Sequence, residues 1–323
     1  MNDTYIIYGG ELSYFTRKLE AAMIFYGADH ELRSKTPDVA ADVEQRSGTH
    51  QVPVLHTPEN WMIGDTTPLL HLLDERFVDR RMFPTGPQGI MVQAVEELFD
   101  EWVARVMVHY RWHYPASAEF ASLRMAGGNP AAAARVRDWG PRACRATGTE
   151  SAHQQQAAEA EYVRILDALE KQLKHTRYAL GDRPTAVDCI LLGGLRAHTN
   201  MDPDPKKVVS GYPGVVAWAQ GGADNWDGSG DIAAFPQTTD FAQFALNDLG
   251  TQYRPFVLGN AESLAAGAKA FHFETYGEDV SYLTRPYPEQ SRNMIRRRIN
   301  RLSDVEQATL RSWLAEYPVA ECF

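Results

Sequence analysis

In the first residues of the chain, a short run typical of a strand is followed by hydrophobic positions at the spacing of a helix. Residues 4–8 are β-branched or aromatic and end at Gly9-Gly10, which predicts a buried strand followed by a tight turn. Apolar residues then recur at helical spacing over 15–26, until Gly27 supplies a residue that commonly ends helices. The chain is therefore predicted to open with a strand, a loop and a helix.

Further segments complete this first unit. Three more strands are predicted at residues 30–34, 52–56 and 60–64. The last two are joined by a turn too short for anything but an antiparallel hairpin. Residues 65–77 predict a helix with Thr66 or Thr67 as its N-cap. The predicted order is β-α-β followed by β-β-α, an α/β arrangement.

The predicted secondary structure changes from mixed α/β to helical after residues 80–89. This stretch has two prolines and two glycines, which is typical of a linker. Helical patterns follow over residues 90–113, 149–176 and 186–198, and no strand is predicted before about residue 270. Thr185 and Asp188 match a capping box at the start of the third pattern. The second domain is therefore predicted to be all helical.

A third piece follows the helical domain. Residues 269–286 carry alternating apolar residues on either side of a turn, which predicts a hairpin. Two helical patterns come next, at 288–302 and 303–317, and Ser303 with Glu306 forms a capping box in the second. The predicted domains are residues 1–84, 85–245 and a C-terminal extension, 246–323.

Composition and charge narrow the classes of function. The 323 residues include 32 basic and 42 acidic side chains, a formal charge of -10 that disfavours nucleic acid as a partner. No apolar run approaches the roughly 20 residues that span a bilayer, and the first ten residues lack the pattern of a signal peptide. We therefore expect a cytoplasmic protein with no membrane partner.

Candidate metal ligands are sparse. The three cysteines, Cys144, Cys189 and Cys322, are far apart and form no CxxC pair, which predicts free thiols. His109 and His113 lie four residues apart on one predicted helix face, but no acidic third ligand is placed as in H-E-x-x-H. No metal cofactor is predicted.

Four segments, taken together, resemble motifs of one family. They are SYFTRKLEAA (13–22), similar to S-P-F-x-R-K; QVPVL (51–55), similar to V-P-x-L; IGDTTPLLHLLDERF (63–77), similar to E-S-x-x-I-x-x-Y-L-D; and YALGDRPTAVDCILLGGL (178–195), similar to F-L-x-G-D-x-P-T-x-A-D. In this order they resemble the cytosolic glutathione transferase superfamily, in a serine-type, bacterial-like branch with a C-terminal extension.

The resemblance implies a thioredoxin-like α/β N-terminal domain, an all-α second domain and a homodimer. It also implies that glutathione is a co-substrate and that its thiolate is transferred to a hydrophobic electrophile. A different class stays open, namely a non-catalytic protein of the same fold that binds a ligand or another protein, because fold alone does not determine function.

The resemblance assigns the central role to Ser13, whose hydroxyl would donate a hydrogen bond to the glutathione thiolate. Such a bond to a charged group contributes about 1.5–3 kcal/mol, and one pKa unit corresponds to about 1.36 kcal/mol. Ser13 would therefore lower the thiol pKa by roughly one to two units. The alternative is that Ser13 only caps the helix that follows it.

The resemblance places glutathione along two short segments. His50 and Gln51 are candidates for the glycyl carboxylate, and Val52 would pair with the cysteinyl backbone ahead of a cis Pro53. Asp65 would attract the γ-glutamyl ammonium, and Thr66 would bind its carboxylate at a helix N-terminus. Asp65 and Thr66 replace the more usual Glu or Gln with Ser.

Aromatic residues supply a candidate pocket for the acceptor. Tyr14 stands where the family often has proline, and its phenol is expected near the second substrate. His109, Tyr110 and His113 lie in an aromatic-rich helix, and they are candidates to line an apolar pocket beside the thiol. Packing in the core is the alternative for the helix residues.

Overall fold

The computed structural model describes residues 4–323. The first domain contains β1 (Tyr5–Tyr8), α1 (Tyr14–Tyr26), β2 (His30–Arg33), α2 (Pro37–Ser47), β3 (Val54–His56), β4 (Met62–Ile63) and α3 (Thr66–Arg76). The sheet has the order β2-β1-β3-β4, with β1 parallel to β2 and antiparallel to β3. This arrangement confirms the predicted β-α-β and β-β-α order of a thioredoxin-like domain.

Two local features of this domain differ from the sequence prediction. Helix α2 occupies the polar stretch after β2, where no helix is predicted, because Val43 is its only buried residue and no apolar stripe marks it. Helix α3 begins at Thr66 itself, so Asp65 takes the N-cap position that the pattern assigned to Thr66 or Thr67. Neither difference changes the topology.

The second domain is helical, as predicted. It contains α4 (Gly86–Glu97), α5 (Ala104–His113), α6 (Pro115–Met125), α7 (Pro130–Arg137), α8 (Gly140–Ala146), α9 (Ala152–Gln172), α10 (Ala186–Gly194), α11 (Pro203–Val209) and α12 (Pro213–Ala219). A π-helical segment, Leu98–Val103, joins α4 to α5 in one long helix. Helices α6 to α8, α11 and α12 were not predicted, since they are short and bury few residues.

The C-terminal extension contains the predicted hairpin and the two predicted helices, and also a helix before the hairpin that the sequence did not predict. Its elements, with the helix that leads into it, are α13 (Asp240–Phe244), α14 (Gly250–Ala265), β5 (Ala270–Thr275), β6 (Glu278–Leu283), α15 (Pro286–Ile299) and α16 (Asp304–Leu314). A π-helical segment, Ala245–Leu249, makes α13 and α14 continuous. The predicted boundary between 245 and 246 therefore lies inside a helix.

The extension packs onto the helical domain through buried polar contacts. Helices α15 and α16 lie against α4, and Tyr253 on α14 donates a hydrogen bond of 2.9 Å to the buried Glu97. At the tip of the hairpin, Tyr276 has a φ of 52° and donates its hydroxyl proton to the buried Glu161. The extension and the helical domain therefore share one core.

The two domains meet where α1 lies along α10. A Cβ atom on Gly193 would stand 2.6 Å from the backbone oxygen of Tyr14, and one on Gly194 would stand 2.7 Å from the Tyr14 ring. Only glycine at these two positions allows the helices to approach this closely. The interface is thus fixed in register at Tyr14, the first residue of α1.

The predicted capping boxes are both present, one buried and one exposed. Asp188 accepts hydrogen bonds from the buried backbone amides of Ala179 and Thr185.

We predict that Asp188→Ala lowers the free energy of unfolding by about 1–3 kcal/mol for each amide left without a partner. Urea denaturation measures the loss.

The exposed capping box at the start of α16 supplies the matched control for Asp188. Glu306→Ala removes a carboxylate that bonds only to the amide and hydroxyl of Ser303, both of which water reaches. Its loss of stability should be clearly smaller, because solvent satisfies the freed amide. Equal losses in the two variants would contradict the argument from burial.

His71 lies on α3 between the two domains and stacks on Phe83 with ring centroids 4.1 Å apart. Burial and the nearby positive charge of Arg298 lower the pKa of His71 to about 3. The unfolded chain therefore binds a proton below pH 6.5 that the folded chain does not bind until about pH 3. The contribution of His71 to the free energy of unfolding is therefore lost as the pH falls from 6.5 to about 3.

We predict that His71→Phe, which keeps the stacked ring but binds no proton, removes this pH dependence. At pH 5 the wild type should have lost about 2 kcal/mol through His71 relative to pH 7, from about 1.36 kcal/mol per pH unit. Urea denaturation of both proteins at pH 7 and pH 5 gives the difference. A constant difference at the two pH values would contradict the assignment.

Candidate functional site

The sheet topology brings three candidate segments to one edge of the first domain. Strand β1 ends at Tyr8, and Tyr8 pairs with Val54, the first residue of the antiparallel β3. Strand β4 runs antiparallel to β3 and ends beside it at Ile63. The loop after β1, the Val52-Pro53 segment and the start of α3 therefore lie at the same edge.

Ser13 occupies the N-cap position of α1, as predicted. Its hydroxyl oxygen accepts a hydrogen bond of 3.3 Å from the amide of Thr16, and its own amide donates to the Gly10 carbonyl over 3.0 Å. The side chain is half-buried. The hydroxyl proton takes no part in the cap, so the cap bond leaves it available to a ligand.

The segment before β3 follows the same edge. The Val52-Pro53 peptide bond is cis, in agreement with the prediction. His50 and Gln51 are exposed, and the neighbouring Thr49 lies so close to Gly64 that a Cβ atom there would stand 2.7 Å from the Thr49 methyl carbon. The structure therefore brings 50–53 beside the start of α3.

Asp65 and Thr66 form the N-terminus of the eleven-residue helix α3. Asp65 is exposed and has a φ of 65°, a left-handed conformation that is uncommon for a residue other than glycine. Thr66 is buried and begins the helix, where free backbone amides favour an anion. A carboxylate-bearing ligand suits this position.

Lys18 forms a buried ion cluster behind the N-terminus of α3. Its side chain is 0% exposed, and its ammonium lies 2.5 Å from Glu96 and 2.6 Å from Asp100. It also donates to the Thr67 hydroxyl over 2.8 Å. Burial opposes the charge on Lys18, but Asp100 and Glu96 outweigh it and raise the Lys18 pKa. The cluster ties α1 to α3 and to the helical domain.

The loop before Ser13 is held by the helical domain at two points. Arg111 on α5 is buried and donates a hydrogen bond of 2.7 Å to the carbonyl of Leu12. On the surface, Arg124 on α6 forms an ion pair with Glu11. Arg111 thus bonds the backbone next to Ser13, and Arg124 contacts only a side chain of the same loop.

The four aromatic candidates for the acceptor pocket are mostly packed inside the molecule. Tyr14 is buried and donates its hydroxyl proton to the Phe99 carbonyl over 3.1 Å. His109 and Tyr110 are also buried, with His109 bonded to Glu159 over 2.8 Å, while His113 is half-buried. This packing favours the core interpretation that the sequence left open for the helix residues.

The space beside Tyr14 is a small apolar cavity. Its volume is about 20 Å³, and its walls include Phe99, Val103, Tyr162 and Leu191. Such a space holds little more than a water molecule. In this conformation it does not accommodate a hydrophobic acceptor.

Residues 4–323 contain no group of three or more His, Cys, Asp or Glu side chains that could hold a metal ion. Over the same range no helix is both long and apolar enough to cross a bilayer. Cys144, Cys189 and Cys322 are buried free thiols, as predicted.

The fold and the arrangement of this edge define a thioredoxin-like domain joined to a helical domain. The family model described as glutathione S-transferase, N-terminal domain, matches residues 7–81, and the one described as glutathione S-transferase, C-terminal domain, matches residues 130–221. The two matches together cover just over half of the chain. The chain belongs to the glutathione S-transferase superfamily.

Several solved structures are similar at low identity. A glutathione S-transferase from Rhodospirillum rubrum F11 is 14% identical, with a TM-score of 0.48 over 75% of this chain and 99% of that chain. A glutathione S-transferase from Methylobacterium radiotolerans JCM 2831, in complex with glutathione sulfonate, is 17% identical, with a TM-score of 0.44 over 70% and 92%. A glutathione transferase from Phanerochaete chrysosporium is 17% identical, with a TM-score of 0.48 over 68% and 97%. No curated protein matches the chain.

Sequence reasoning missed Lys18 and Arg111 as residues of this region. A signal for Lys18 was present, because helical spacing places it on the same face as Tyr14 and Phe25, both of which are buried. A lysine on an apolar face needs a buried partner. Arg111 gave no comparable signal, since its partners lie far away in the sequence.

We predict that Lys18→Met destabilises the protein by about 3–5 kcal/mol, because it leaves the buried carboxylate of Glu96 and the partly buried carboxylate of Asp100 without their cation. Urea denaturation measures the change. Arg33→Met is the matched control, since Arg33 pairs with Glu31 in solvent at 2.6 Å. A loss for Lys18→Met no greater than that for Arg33→Met would contradict the role of the buried cluster.

Proposed function

We propose that the chain is a glutathione transferase in which the Ser13 hydroxyl donates a hydrogen bond to the glutathione thiolate. The observation that carries the proposal is the meeting of Ser13, the Val52-Pro53 segment and the N-terminus of α3 at one edge of a glutathione S-transferase domain. The hydroxyl oxygen caps α1 while its proton remains available to sulfur. Cap and thiolate stabiliser are thus compatible roles.

The proposed glutathione position follows the same edge. Asp65 attracts the γ-glutamyl ammonium, and Thr66 with the free amides of α3 binds the α-carboxylate. Val52 pairs with the cysteinyl backbone, and His50 or Gln51 contacts the glycyl carboxylate. The left-handed backbone of Asp65 supports this placement, because such conformations concentrate at ligand-binding positions.

The proposed reaction begins when the glutathione thiol loses its proton to solvent. The thiolate then forms a sulfur–carbon bond with an electrophilic carbon of a hydrophobic acceptor. The leaving group on that carbon, such as the halide of an aryl halide, departs with the electron pair of the bond that breaks. Lowering the thiol pKa raises the thiolate fraction at neutral pH, and positioning the two reactants lowers the barrier further.

A second candidate function is a non-catalytic protein that binds glutathione or another peptide-like ligand. The observation in its favour is the small cavity beside Tyr14, which leaves no space for an acceptor among the aromatic residues. Measurable glutathione binding with no conjugation of any electrophile would support this candidate. The proposal therefore leaves the acceptor pocket unassigned.

The assembly of the molecule and its cytoplasmic location stay predictions that follow from the resemblance and the composition. The resemblance implies a homodimer. Helices α15 and α16 pack against α4 within the same chain, so a dimer must form on surfaces that they leave open.

We predict that Ser13→Ala lowers kcat for conjugation to an aryl halide by roughly 10- to 100-fold at neutral pH, because the thiol pKa rises by about one to two units. Glutathione affinity, measured by calorimetry, should change little. The pH dependence of kcat and the thiolate absorbance of bound glutathione both report the pKa.

Ser151→Ala is the matched control for Ser13. Ser151 caps α9 with an accepted bond of 3.1 Å from the Gln154 amide and lies outside the candidate site, and its hydroxyl also donates to Glu278 over 2.6 Å. Each variant should lose about 1 kcal/mol of stability through its cap, and Ser151→Ala loses the bond to Glu278 in addition. Unchanged turnover in Ser13→Ala would refute the role of Ser13, and no glutathione binding by the wild type would refute the transferase proposal.

A further inference from the structure

Arg111 makes an unusual set of contacts for a buried arginine. It pairs with the buried Asp202 through Nε at 2.8 Å and Nη2 at 3.2 Å. Nη2 also donates to the Ala197 carbonyl over 2.9 Å, and Nη1 donates to the Leu12 carbonyl over 2.7 Å. One guanidinium therefore connects α5, the segment between α10 and α11, and the loop before Ser13.

This arrangement of hydrogen bonds requires an arginine at position 111. A guanidinium presents several donors in a rigid plane, so the fork that pairs with Asp202 also fixes the direction of the remaining nitrogen. That nitrogen points at Leu12, the residue directly before Ser13. A lysine ammonium has no such fork, and it cannot hold the carboxylate and both carbonyls in the same arrangement.

We infer that Arg111 is a positioning residue for the transfer reaction, which holds Ser13 in place through the Leu12 carbonyl. The inference rests on the proposed function of Ser13. The hydroxyl stabilises a thiolate only within hydrogen-bond distance, and a displacement of 1 Å at a reacting centre can cost about 100-fold in rate. The helical domain thus sets the strength of thiolate stabilisation in the other domain.

The surface ion pair between Arg124 and Glu11 does not have the same role. Arg124 is exposed, and surface ion pairs contribute little because solvent screens them. It also contacts the Glu11 side chain, which can move without moving the backbone. Arg111, by contrast, is bonded to the backbone itself and is closed off from water.

The test compares Arg111→Lys with Asp202→Asn. Both variants weaken the buried ion pair, so urea denaturation should show that both lose stability. Only Arg111→Lys loses the donor to Leu12, because an asparagine oxygen still accepts from Arg111 and leaves its other bonds in place. Arg124→Ala serves as a third variant, which removes only the surface contact.

We expect Arg111→Lys to lower kcat by about 10- to 100-fold with an unchanged KM for glutathione, and to move the pH profile of kcat to higher pH. Hydrogen exchange of the Ser13 amide, which bonds to Gly10, should be faster in this variant alone. Asp202→Asn and Arg124→Ala should keep the wild-type pH profile.

Two results would overturn the inference. If Arg111→Lys and Asp202→Asn change the pH profile and the Ser13 exchange rate equally, Arg111 acts only through the ion pair. If Arg111→Lys keeps the wild-type profile, the Leu12 contact has no effect on Ser13. If the wild-type protein does not bind glutathione, the proposed function itself is wrong. The positioning role of Arg111 is then wrong as well, and this result is distinguishable from the two above.

Discussion

The close contact between α1 and α10 is the constraint on which the rest of the molecule depends. Gly193 and Gly194 let the backbone and ring of Tyr14 approach to distances that no side chain would permit. Once α1 lies there, Lys18 must enter the interface, and its charge is tolerable only because Glu96 and Asp100 surround it. A thioredoxin-like domain thereby becomes a fixed part of a larger molecule.

The same constraint explains why Tyr14 is a packing residue in this structure. Its ring closes the interface and its hydroxyl satisfies the Phe99 carbonyl, so the side chain points away from the edge that carries Ser13. The C-terminal extension completes the helical domain from the other side, with Tyr253 and Tyr276 satisfying the buried Glu97 and Glu161. The two tyrosines are distant in sequence from these glutamates, and both lie in the extension.

Much of the fold was predictable because its signals are local. The strand at 5–8, the helix after Ser13, the hairpin and the two capping boxes each depend on residues a few positions apart. Helix α2 was missed because it buries only Val43, and α6 to α8 because short helices carry little periodic signal. The π-helical segments within the long helices have no sequence signature of this kind.

The sequence by itself determined the order of the strands and of the longer helices in the first two domains, and its motifs predicted the family and the candidate site residues, since each of these follows from local spacing and motif. Only the tertiary structure decided that Tyr14 packs against glycines, that Lys18 is enclosed by carboxylates and that Arg111 bonds to the backbone beside Ser13. Each of these contacts joins residues at least 78 positions apart. The energy of each contact depends on how deeply its groups are buried and on how close together they lie. Both are set only when the two domains pack together.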